Sequence, residues 1–106
     1  MKQFEIWKGR PPDFKVDHWF VVISGQERID DSRAIYVNGL ACYTLRVAPR
    51  GHDVILDSAD GLSAATACQC DYLHPLEKRS VHSSLGQVSW ERQQPIKSKI
   101  KLLLRL

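Results

Sequence analysis

Apolar residues come in short runs broken by turn-forming residues over most of this chain, the pattern of an all-β barrel or sandwich. Gln3 to Trp7 alternates, with Phe4 and Ile6 on one face, and Gly9, Pro11 and Pro12 then end the ladder. The stretch HWFVVIS, from His18, is apolar on both faces and predicts a central strand covered on both sides. GQERIDDSR is polar and rich in turn formers, so it reads as a surface loop.

AIYVNGLACYTLR is a second long β stretch, interrupted by Asn38 and Gly39. Asn-Gly is a hairpin signal, but a bulge in one bent strand would use the same residues. HDVILD, the turn SADGL, ATACQCDYL and the polar LEKRSVHSSLGQVS supply the remaining strands. Only the C-terminus has a helical period. Ile96, Ile100, Leu103 and Leu104 form one stripe, Ser89 is placed to cap the N-terminus, and Glu91 falls in the first turn. Pro95 removes a backbone donor and predicts a kink, or a regular helix delayed to about Gln94.

At 106 residues the chain suits one domain spanning 1–106. A formal charge of +3 permits a polyanionic partner without demanding one. Residues 92–105 carry Arg92, Lys97, Lys99, Lys101 and Arg105 with no acid, which favours a solvated helix face over a nucleic-acid patch. Glu5 interrupts any export signal and the apolar tail is too short to span a bilayer, so a cytoplasmic protein without membrane attachment is expected. Three cysteines, an odd number, fit a reducing compartment. Cys68 and Cys70 share a strand face near Cys42, but their spacing is poor for a metal, so small buried thiols are expected and no metal or cofactor. His18, His52, His74 and His82 are scattered, and no phosphate loop or nucleophile elbow occurs.

From Asp53 to Leu104 the order of features resembles the MazF/PemK family of toxin endoribonucleases. The features are Asp53 to Leu56, Gly61-Leu62, Thr66, Asp71-Tyr72-Leu73, Lys78-Arg79, Gly86 and a helix from about Trp90. FEIW, FVVIS and CYTL look like the first three strands, so the resemblance spans nearly the whole chain. It implies a small SH3-like β-barrel with a C-terminal helix, in which the Asn38-Gly39 segment belongs to one strand, and it implies a homodimer. The implied activity is metal-independent cleavage of single-stranded RNA by the ribose 2′-hydroxyl, with an antitoxin protein as partner.

The resemblance gives Thr44 as a catalytic residue, and Asp13 as the acid of the preceding loop, where Phe14 replaces a glutamine. Where the family reads Arg-Pro, this chain reads His18-Trp19. His18 either serves as a replacement acid or base, with Arg10, Lys15 and Arg46 holding the RNA backbone, or marks a lost activity. A fainter likeness of both termini to CcdB-type toxins leaves a gyrase-inhibiting protein as an alternative, and a degenerate family member as another.

Overall fold

The computed structural model describes residues 1–45 and 48–106, and its longest strand, β3 (Tyr36–Thr44), organises the rest. Along one edge β3 pairs with β2 (His18–Val22). Along the other it pairs first with β6 (His74–Glu77) and then with β5 (Thr66–Gln69). β4 (Asp53–Leu56) extends the sheet beyond β5, while β1 (Glu5–Gly9) joins β2 to β7 (His82–Gln87). The order is β4-β5-β3-β2-β1-β7, antiparallel throughout, and the sheet curls into a half-barrel closed by the helix α2 (Trp90–Leu104). This is the mainly β architecture with a C-terminal helix that the sequence predicts.

The central strands are buried on both faces, as their double-sided apolarity requires. Ile6, Val21, Leu40 and Cys42 pack with Ile96 of α2 in one cluster. Phe20, Val22, Ala41 and Leu76 form the other, covered by Phe14, Ile29 and Val81. Asn38 and Gly39 lie inside β3, so one strand rather than a hairpin is present, and its register with β2 runs from Trp19↔Cys42 to Val22↔Gly39 without a bulge. Gly39 is there because of close approach: a Cβ would stand 2.6 Å from Leu76 Cδ1 and 3.1 Å from Phe20 Cβ.

Two expectations are corrected. The polar segment after β2 contains a short helix, α1 (Gln26–Asp30). It shows no periodicity to read, and tertiary contacts hold it: Ile29 packs on the second cluster, and Lys78 Nζ donates to the Arg28 and Asp31 carbonyls at 2.7 Å. The C-terminal helix starts at Trp90, as the place of Ser89 implied, and the delay to Gln94 offered for Pro95 does not occur: Pro95 sits within the helix on an exposed edge. Proline there forgoes one hydrogen bond, which burial of Ile96 outweighs.

Ser89 holds the N-cap position, yet its side chain caps nothing; instead its N–H donates to Asp60 Oδ1 at 2.7 Å. Asp60 belongs to a 3₁₀ turn, Ser58–Asp60, in a reciprocal capping box with Asp57. Gly61 follows at φ 88°, a left-handed conformation suited to glycine. Gly86 of β7 lies so close that a Cβ would meet the Asp60 carbonyl oxygen at 2.2 Å. Arg92 then reaches from α2 to both carboxylates, at 2.6 and 2.8 Å from Asp57 and 2.6 Å from Asp60.

The cations of α2 are therefore not a uniformly solvated face. Besides Arg92, Lys97 lies over the rings of Phe4 and Trp90, and Lys99 Nζ donates to the Gly51 carbonyl at 2.6 Å. Cys42, Cys68 and Cys70 are free and buried, with Cys42 and Cys68 opposite each other in the β3–β5 ladder. No helix among the described residues is long and apolar enough to cross a membrane.

Candidate active site

Where β2 begins and β3 ends, the sheet opens into a cavity of about 460 Å³. Its apolar wall is Ile6, Trp19, Leu62 and Leu85, and its polar rim includes His18, Thr44, Ser63 and Thr66. The volume lies within the ordinary range of ligand pockets. Thr44 pairs with Thr66 across the β3–β5 ladder. The Thr66 hydroxyl donates to the Ala64 carbonyl at 3.0 Å, whereas the exposed Thr44 also borders a second hollow of about 300 Å³ lined by Tyr43, Ala48, Arg50, Asp53 and Gln69. Thr44 is thus the ridge between two hollows.

Antiparallel pairing puts His18 beside Tyr43 and Trp19 beside Cys42, and alternation sends the two pairs to opposite faces. The His18 ring accordingly packs against Tyr43, with centroids 4.7 Å apart, and against Phe14 and Phe20. Burial pushes its pKa below the ordinary histidine value, and a hydrogen bond to the Cys42 backbone opposes that only in part. His18 is therefore neutral at pH 7, with Nε2 buried and lacking a hydrogen-bond partner among the described residues. In this state it can accept a proton but not supply one.

His74 lies at the same cluster, and burial lowers its pKa too; Asp13 acts to raise it and His18 to lower it. Each ring stays neutral in the folded protein at a pH where the unfolded chain, with a pKa near 6.5, already binds a proton. Stability from this source is present above about pH 6.5 and is lost as pH falls through the lowered folded values. We expect the melting temperature to be level above pH 7 and to begin to fall once the pH drops below about 6.5. The doubly substituted His18→Gln, His74→Gln protein should show a shallower slope there; an equal slope in both proteins would refute the assignment.

The remaining residues singled out in the sequence are placed unequally. Asp13 does not line either hollow, but lies close enough to Tyr43 and His74 to affect both electrostatically. Arg10 is committed to Asp17, with Nε 3.1 Å from Oδ1, and His82 Nε2 takes the other oxygen at 2.7 Å. These partners, His82 foremost, hold the Asp17 carboxyl below its usual value and pin the β1–β2 loop to β7. Lys15 is exposed in that loop, and Arg46 lies outside the described residues.

Two cations that sequence reasoning passed over stand nearer the hollows. Lys8 Nζ lies 5.1 Å from the ring centroid of Trp19, a wall residue, and Arg50 lines the second hollow. A signal for Lys8 existed in the alternation of β1: Phe4, Ile6 and Lys8 share one face, and Lys8 ends a row otherwise buried. Arg50 follows Pro49 in a segment without periodicity, and nothing in the pattern marked it.

A curled antiparallel sheet closed by a C-terminal helix, with a cavity at the β2–β3 mouth, places the chain in the structural class of small, mainly β half-barrels. Within that class its fold is the MazF fold. A mycobacterial endoribonuclease solved with its cognate antitoxin superposes with a TM-score of 0.81 at 16% identity, covering 100% of this chain and 96% of that one. The Mycobacterium tuberculosis toxin MazF-mt6 gives 0.79 at 14% identity over 96% of this chain and 97% of its own. MazF of Deinococcus radiodurans, solved with MazE, gives 0.71 at 17% identity over 98% and 94%. By sequence, no family model and no curated protein matches the chain.

Proposed function

We propose that this protein is a toxin-type endoribonuclease acting on single-stranded RNA. The observation that carries this reading is the meeting of Thr44 and His18 at one cavity, in a fold shared over its whole length with proteins described as endoribonucleases. The RNA strand crosses the Thr44 ridge, with a nucleotide in each hollow. The ribose 2′-hydroxyl attacks the adjacent phosphorus, the bond to the 5′-oxygen breaks, that oxygen takes a proton from solvent water, and the products are a 2′,3′-cyclic phosphate and a 5′-hydroxyl end.

Thr44 donates its hydroxyl hydrogen to a non-bridging oxygen as charge builds there, while Lys8 and Arg50 supply positive charge from either side. His18, neutral at pH 7, is the candidate acceptor for the 2′-hydroxyl proton. Because Nε2 is enclosed by rings, proton transfer through it requires the Phe14 or Tyr43 ring to shift. No metal ion is needed in this scheme.

The solved relatives that carry an antitoxin support a second part of the reading, an antitoxin protein that covers the two hollows. A second copy of the chain completing the RNA groove belongs to the same proposal. Incubating the purified protein with mixed-sequence RNA, with and without EDTA, tests the chemistry. Fragments ending in cyclic phosphate under both conditions are expected, and intact RNA in both would sink the proposal.

A further inference from the structure

Phe14 stands at the centre of a group of rings on the face of the sheet that carries Phe20. Its centroid lies 5.6 Å from that of Phe20, 5.7 Å from that of His18 and 5.3 Å from that of His74. At either end is a tyrosine: Tyr43 packs on His18 at 4.7 Å, and Tyr72 on His74 at 4.6 Å. The middle of the row is covered, with His74 only 8% exposed, but Tyr43 and Tyr72 are 39% and 59% exposed. Rings left open at both ends of a packed row are a surface offered to something flat.

Charge narrows the choice. Asp13 is close enough to act on both Tyr43 and His74. Both histidines of the row are held neutral by burial, so they do not offset that carboxylate at pH 7. An uncharged aromatic heterocycle with N–H donors suits stacked rings beside a carboxylate on both counts. Continuity supplies the rest: His18 and Tyr43 belong both to this row and to the rim of the 460 Å³ cavity, and Tyr43 also borders the second hollow.

We infer that this row is a nucleobase platform, on which a base flanking the scissile phosphate stacks against the exposed ring of Tyr72 and donates its exocyclic amino group to Asp13. The inference rests on the endoribonuclease reading and gives it a specificity element. Adenine, cytosine and guanine carry the required amino group, and uracil does not. Asp13 is then a specificity residue and not a catalytic one, in keeping with its absence from the lining of both hollows.

The test begins by mapping the cut in mixed-sequence RNA. A short RNA of that sequence, carrying 2′-deoxyribose at the cut so that it binds without reacting, is then titrated by fluorescence anisotropy. Because Tyr72 is exposed, Tyr72→Ser should melt at close to the parental temperature while weakening binding about 5-fold or more, the loss of one stacked base. Tyr72→Phe should bind within about twofold of the parent, since it keeps the ring.

An abasic residue at the flanking position should weaken the parent by a similar factor and Tyr72→Ser little further. Asp13→Ala should narrow the preference for amino-bearing bases over uracil at that position. A parent that cuts RNA while Tyr72→Ser binds unchanged, or an abasic penalty equal in both proteins, overturns the platform and leaves the ribonuclease standing. A parent that neither binds nor cuts RNA overturns the ribonuclease reading itself.

Discussion

Alanine in place of Thr44 is expected to slow RNA cleavage by about 10²- to 10³-fold, the usual effect of removing one preorganised donor to a developing oxyanion. The loss should fall on kcat with little change in KM, because the hydroxyl bonds more strongly to the phosphorane than to the resting phosphate. Thr44→Ser, which keeps the donor, should recover most of the rate. Thr44 is exposed at the end of β3 and anchors no core cluster, so the alanine variant should melt within a few degrees of the parent. Parental cleavage rates in Thr44→Ala, measured on the mapped RNA site, would remove Thr44 from the chemistry.

The largest stability effect is expected at Asp60. Its fully buried carboxylate accepts N–H bonds from Ser89 at 2.7 Å and Asp57 at 2.9 Å, and receives Arg92 at 2.6 Å. Burial alone would raise its pKa, but these donors outweigh it and keep the group ionised. Asp60→Ala leaves two backbone donors without their partner and Arg92 with Asp57 alone, and should cost about 2–4 kcal/mol. In a chain of this size that corresponds to a drop in melting temperature of roughly 10–20 °C.

Asp57, brought to about 2 chiefly by its bond from Arg92, shares the same pH sense as Asp60. The stabilisation from both is present above the ordinary carboxylate range and is lost only as pH falls through the lowered values, well below the histidine window. An acid melt should therefore show two separate declines, and Asp60→Ala should blunt the lower one. An unchanged lower decline together with an unchanged melting temperature would mean that the helix is held by its other contacts, Ile96 and Ile100 in the core and Lys99 on the Gly51 carbonyl.

Strands were legible in the sequence wherever burial imposes alternation or a double-sided apolar run, as in β1, β2 and β3. The mouth of β2 was legible for a different reason, since a histidine before a tryptophan interrupts an otherwise apolar approach. What stayed hidden was decided by contacts between distant residues. The helix α1 exists because Lys78, about fifty positions later, binds its carbonyls, and no local period betrays that. Asp57 and Asp60 looked like any turn acids until Arg92 was placed across them. The sequence also named Asp13, His18 and Thr44 together; His18 and Thr44 border one cavity, whereas Asp13 lines neither hollow.

The β1–β7 pairing has a consequence for how the protein is made. It brings residues 5–9 alongside residues 82–87, and the cavity wall takes Ile6 from the first strand and Leu85 from the last. The turn beneath that wall is clasped by Arg92, later still in the chain. During synthesis the early strands wait with an open edge until β7 arrives, so the sheet closes late and through contacts remote in sequence, a slow class of folding step. A nascent chain that has β1 to β6 but not β7 and α2 has no finished hollow. Whatever chemistry resides there is switched on only after β7 and α2 have been made.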